Sequence, residues 1–101
     1  MYANGLGVPQ DFEVAAELYL LAAERGDTTA QYLLGLMYDK GQGVGRNEIL
    51  AYKWLNLAAA RALKREREYY IRLRDAVASK MTRAQVAEAQ SLAVEWSAGL
   101  R

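Results

Sequence analysis

The chain carries nearly the same eight residues twice. "MYANGLGV" occupies positions 1–8 and "MYDKGQGV" positions 37–44, with Met, Tyr, two Gly and Val identical. The likeness continues at the same offset of 36: Ala15 pairs with Ala51, Leu21 with Leu57, Ala22 with Ala58, Ala23 with Ala59 and Arg25 with Arg61. Leu18 stands opposite Trp54 and Tyr19 opposite Leu55, so apolar bulk is kept where identity is not. A fixed period of roughly 20–50 residues marks a solenoid, because each unit must cover the apolar face of its neighbour.

Inside each unit the period is helical. Ala15, Leu18 and Ala22 recur at i, i+3, i+7, as do Ala51, Trp54 and Ala58, and Ala30, Leu34, Met37 and Tyr38 form a second stripe. Asp11 and Asn47 are placed to N-cap helices starting near 12 and 48. Gly26 after Arg25 is a C-terminal stop. Thr28 with Gln31 reads as a capping box for the next helix. The stretches Gly5 to Val8 and Gly41 to Val44 join such helices. Their glycines allow positive φ, and Val8 and Val44 are placed to plug the bends. No segment keeps the clean alternation of a strand, so the chain reads as all-α.

The pattern fails where a third unit is due. Gly26 is replaced by Ala62, Ala30 by Glu66 and Gly35 by Ile71, which removes the small residues of the close contacts. Residues 61–75, "RALKREREYYIRLRD", hold no helix breaker, so the preceding helix has no clean stop at Ala60, and whether 48–79 is one continuous helix or breaks near 61–66 stays open. The last helix is well signalled. Thr82 and Gln85 form a capping box, Met81 and Val86 a hydrophobic staple, and Val86, Ala89, Ala93 and Trp96 a buried stripe. This tail reads as a cap on the open end of the solenoid.

Taken together, Tyr-x-x-Gly-x-Gly-Val, then Ala-x-x-Trp/Leu, then Ala-Ala at a spacing of 36 resembles the Sel-1-like repeat, a helix-turn-helix family related to tetratricopeptide repeats. Ala30, Leu34, Gly35, Met37, Tyr38, Gly41, Gly43, Val44, Ala51, Trp54, Ala58 and Ala59 carry the resemblance. Residues 1–27 match as a partial repeat and 28–63 as a complete one, and 64–101 read as a helical cap, within which Met81 to Trp96 resembles the helix that often ends bacterial members. The resemblance implies an alpha-alpha superhelix that binds other proteins or peptides.

Composition narrows the chemistry. The 101 residues are enough for one domain, and 52% apolar content supplies a core. Cysteine and histidine are both absent, so no disulfide, no thiolate metal site and no imidazole base is available. Gly41-x-Gly43-x-Gly45 lacks the Lys-Ser/Thr and the preceding strand of a phosphate loop, so turn geometry explains it. Glu13 and Glu17 share a helix face without a second acid pair, which is the pattern of a solvated surface. Trp54 and Trp96 read as core. No cofactor, metal or catalytic residue is indicated, and the chain is not expected to be an enzyme.

Net charge is +1, too small for strong attraction to nucleic acid or anionic lipid. Its distribution is uneven: residues 1–45 hold six acids and two bases, or −4, and residues 46–101 eleven bases and six acids, or +5. The helix 61–74 gathers Arg61, Lys64, Arg65, Arg67, Arg72 and Arg74 around Tyr69 and Tyr70. It gives an alternative reading as a nucleic-acid or anionic-surface binder, against which Glu66, Glu68 and Asp75 suggest a solvated helix laced with ion pairs.

The favoured reading is a non-catalytic protein-interaction scaffold. Its partner-binding residues are expected on the first helix of the complete repeat at Tyr32, Leu36 and Asp39, spaced i, i+4, i+7 away from the packing stripe, with contact to the neighbouring repeat as the alternative role of this face. Weak self-association is expected through an open N-terminal face containing Leu18, Tyr19 and Leu21, since the sequence begins inside a motif. No run approaches a membrane span. The absence of a leader favours a cytoplasmic protein, with a missing upstream signal left open.

Overall fold

The computed structural model describes residues 11–99, which form five α-helices and no strand. These are α1 (Phe12–Glu24), α2 (Thr28–Lys40), α3 (Glu48–Arg61), α4 (Lys64–Ala78) and α5 (Arg83–Gly99). The first glycine turn, with Val8, lies outside the described residues. The architecture is a helix-turn-helix superhelix: α1 packs on α2, α2 on α3, and α3 in turn on α4 and α5.

Each early helix starts where a side-chain oxygen can take an unpaired amide. Asp11 accepts from the Val14 N–H at 3.1 Å, and Asn47 from the Leu50 N–H at 3.0 Å. α2 departs from the sequence expectation. Its N-cap is Asp27, which accepts from the Ala30 N–H at 2.9 Å, so Thr28 and Gln31 do not form a capping box. Gln31 instead turns inward and donates from Nε2 to the Ala23 carbonyl at 3.1 Å. A carboxylate one residue earlier is the better cap, and Gln31 is freed to tie α2 to the end of α1. α1 itself ends in a Schellman motif around Gly26 (φ 99°), with Asp27 N–H bonded to the Ala22 carbonyl.

The turn from α2 to α3 uses Gly41 and Gly43 at φ 71° and 75°. Gly43 is required twice over, since a Cβ there would also run into the carbonyl of Phe12. Gly35 serves packing rather than turning: a Cβ would lie 2.8 Å from Leu55 Cγ and 3.2 Å from the Ala51 carbonyl. α2 and α3 therefore touch nearly backbone to backbone.

Of the two courses left open for the stretch 48–79, the chain takes the break near 61–66. α3 ends at Arg61, and Ala62 and Leu63 are extended, at ψ 156° and 165°. No side chain caps α4, and no glycine or proline marks the break. Tertiary burial supplies the reason. Folding α4 back seats Tyr70 against Ala58, Ala59 and Ala62, and Val77 against Ala51, Tyr52 and Leu55. A straight helix would leave both side chains in water.

α5 begins as read. Gln85 N–H donates to Thr82 Oγ1 and Thr82 N–H to Gln85 Oε1, and Met81 and Val86 pack on the same cluster as Ala89. Trp96 meets Trp54 edge-on, with ring centroids 5.7 Å apart. α3 is the hub: Ala51, Tyr52, Trp54, Leu55, Leu57, Ala58 and Ala59 are all buried. On α1 the buried residues are Ala16 and Ala23, one position on from the expected Ala15 and Ala22. Leu18, read as part of the inner stripe, faces solvent. Alanine pairs at 15–16 and 22–23 fit either register, and the larger Tyr19 and Leu20 settle which side turns inward.

Candidate functional site

Tyr32, Leu36 and Asp39 lie along one side of α2, all half-buried. α4 and the turn after it are fitted to this side. The Tyr32 ring stacks on Tyr70 at 4.7 Å and 24°, and meets Tyr69 edge-on at 5.9 Å. Asp39 accepts from Lys80 Nζ at 2.7 Å, in a bridge that spans the chain from α2 to the α4–α5 turn. The two ends of the expected face are thus held in place by the next helical unit, while Tyr69 keeps 44% of its surface exposed.

The tyrosine group has its own electrostatics. The Tyr32 phenol is pushed up to about 12, first by the hydroxyl of Tyr69 beside it and then by burial. Tyr70 is raised by burial, then by the charge of Glu66 and by Tyr69. Both stay neutral at physiological pH, as donors that can also accept. Tyr69 and Tyr70 were visible in the sequence only as aromatics inside a charged run. Their meeting with Tyr32, nearly forty residues away, follows from the unmarked break at Ala62–Leu63.

The basic residues divide into two sets. Arg74 is taken up structurally: it donates to Asn56 Oδ1 at 2.9 Å and to Asp75 at 3.0 Å, with its guanidinium 5.7 Å from the Tyr52 ring centroid. Arg61 lies over Gly26. Lys64, Arg65, Arg67 and Arg72 are exposed and enter no ion pair among the described residues. The expected lacing of this helix is sparse, because Asp75 pairs with its chain neighbour rather than one turn away. Lys53 sits 4.3 Å over the Trp54 ring; burial lowers its pKa, while Glu24 and Glu95 act in the opposite direction.

Glu13 and Glu17 are exposed on α1. Among the described residues no group of three His, Cys, Asp or Glu could hold a metal ion, and no helix is long and apolar enough to cross a membrane.

The glycine turn after α2, the Gly35 contact and the hub role of α3 describe one repeat stacked on the next. Residues 1–27 and 28–63 each match the Sel1 repeat. The chain belongs to the Sel1 repeat family. Sel1 repeats are generally protein-interaction scaffolds. No curated protein and no solved structure matches the chain.

Proposed function

We propose that this Sel1 repeat protein is a non-catalytic scaffold whose partner, a protein or peptide, lies along α2 at Tyr32, Leu36 and Asp39. In this reading residues 1–27 are a partial repeat, 28–63 the complete repeat and 64–101 a helical cap. The observation that carries it is the tyrosine shelf. Tyr32 is clamped by Tyr70, Asp39 is clamped by Lys80, and Tyr69 projects beside Tyr32. A face whose side chains are already fixed loses little conformational entropy on binding. Aromatic anchors in such settings commonly dominate interface energetics.

The test is site-specific photocrosslinking in cells, with the crosslinking amino acid at position 36, at 69, or at 88 on α5. The expected result is one recurrent adduct from 36 and 69 and none from 88. Equal labelling from all three positions, or from 88 alone, would remove α2 as the partner face.

A further inference from the structure

α1 carries a side that nothing in the described chain covers. Val14, Leu18 and Leu21, spaced i, i+4, i+7, are all exposed, Leu18 at 62% and Leu21 at 58%. The same repeat positions on α3 are Leu50, Trp54 and Leu57. There Trp54 is 2% and Leu57 4% exposed, packed with Ala93 and Trp96 of α5. In this repeat the position therefore works as a buried contact, and on α1 it is left open.

The charges around that stripe say what fits it. Between Phe12 and Glu24, α1 holds Glu13, Glu17 and Glu24 and no base. All three acids are exposed, and none is in an ion pair among the described residues. Further along the chain, Arg65, Tyr69, Arg72 and Ala76 form an exposed stripe at i, i+4, i+7, i+11 along α4, with Glu68 as the acid beside the two arginines. Glu17 and Glu24 are seven residues apart, and so are Arg65 and Arg72. Seven residues are two helical turns, about 10.5 Å, so the two pairs have the same pitch.

We propose that α1 docks on α4 of a second copy of this chain. The helices run parallel, Glu17 facing Arg65 and Glu24 facing Arg72, as flanking charges do in paired helices. Leu21 is then covered by Tyr69, and Leu18 by the methylene stems of the two arginines. The contact is heterologous, so each pairing leaves one free α1 and one free α4. The surface used is the outward side of α4. It shares Tyr69 with the proposed α2 partner face, while Tyr32, Leu36 and Asp39 take no part in it. A crosslink from 69 to a second copy of the chain thus belongs to this contact, and one from 36 does not.

Sedimentation equilibrium on the intact chain tests this. At low salt the weight-average mass should rise with concentration, and at about 0.5 M salt the rise should largely vanish. The exposed double variants Glu17→Arg/Glu24→Arg and Arg65→Glu/Arg72→Glu should each weaken association about tenfold or more, with unchanged circular dichroism. Mixing the two variants should restore it, as should combining all four substitutions in one chain. Three results would overturn the proposal. These are a wild-type monomer at every concentration, an Arg65→Glu/Arg72→Glu variant that associates like wild type, and a mixture that stays monomeric. The second would mean that α1 pairs with itself or with another surface.

Discussion

Gly43 illustrates how much one missing Cβ can decide. Its φ of 75° is a conformation that side chains resist, and the neighbouring Phe12 carbonyl occupies the space a Cβ would take. Gly43→Ala should therefore lower stability by about 2 kcal/mol or more, read as a shifted urea midpoint at constant m. An unshifted midpoint would mean the turn relaxes freely. The sequence announced this residue through its recurrence at Gly7. It gave no such notice of Tyr32, whose partners Tyr69 and Tyr70 come from another helix. Tyr32 also makes a pH prediction. An unfolded tyrosine loses its proton near 10, while Tyr32 in the fold holds its proton to about 12. Between those values the folded state binds more protons than the unfolded one, so stability falls as pH rises. Below pH 10 the group contributes no slope. Tyr32→Phe should make the decline between pH 10 and 12 shallower; an identical decline would show that other groups account for it.

At the scale of elements, side chains that reach between helices matter more than propensity. Gln31 is wholly buried, and its Nε2 holds the Ala23 carbonyl, but its Oε1 has no partner among the described residues. That carbonyl also receives the Gly26 N–H at 3.0 Å, so it stays satisfied without Gln31. Removing the orphaned oxygen relieves a desolvation penalty of about 1–3 kcal/mol and gives up one ordinary hydrogen bond. Gln31→Met, close in volume, should leave the melting temperature equal or higher. Gln31→Glu should lower it sharply by burying a charge. A large loss in the methionine variant would show that the Nε2 bond is the main tie between α1 and α2. Element boundaries were legible wherever a cap or glycine marks them, as at Asp11, Asn47, Gly26 and Thr82. The start of α2 was misread by one residue because Asp27 and Thr28 are both good caps. Local signals left the α3–α4 break open. It is set by the burial of Tyr70 and Val77, and no local residue records that.

Over the whole molecule, burial and charge both run unevenly from one end to the other. α1 contributes two buried residues from 13, and α3 seven from 14. In a repeat array each unit is stabilised by its own folding and by its neighbours alone, so a helix with little buried surface opens more easily than one packed on three sides. α1 packs on α2, whereas α3 packs on α2, α4 and α5. Native-state hydrogen exchange should show the amides of α1 exchanging through a low-energy opening, and those of α3 only through global unfolding. Measured at about 0.5 M salt, where exposed charge pairs are screened, this order reports on the isolated chain. At low salt and rising concentration, α1 protection should climb toward that of α3 if a second copy covers Leu18 and Leu21. Equal protection of α1 and α3 in the dilute, high-salt sample would contradict the gradient. It would mean that the exposed leucines of α1 do not mark a weak end, and that cooperativity spans the five helices as one unit.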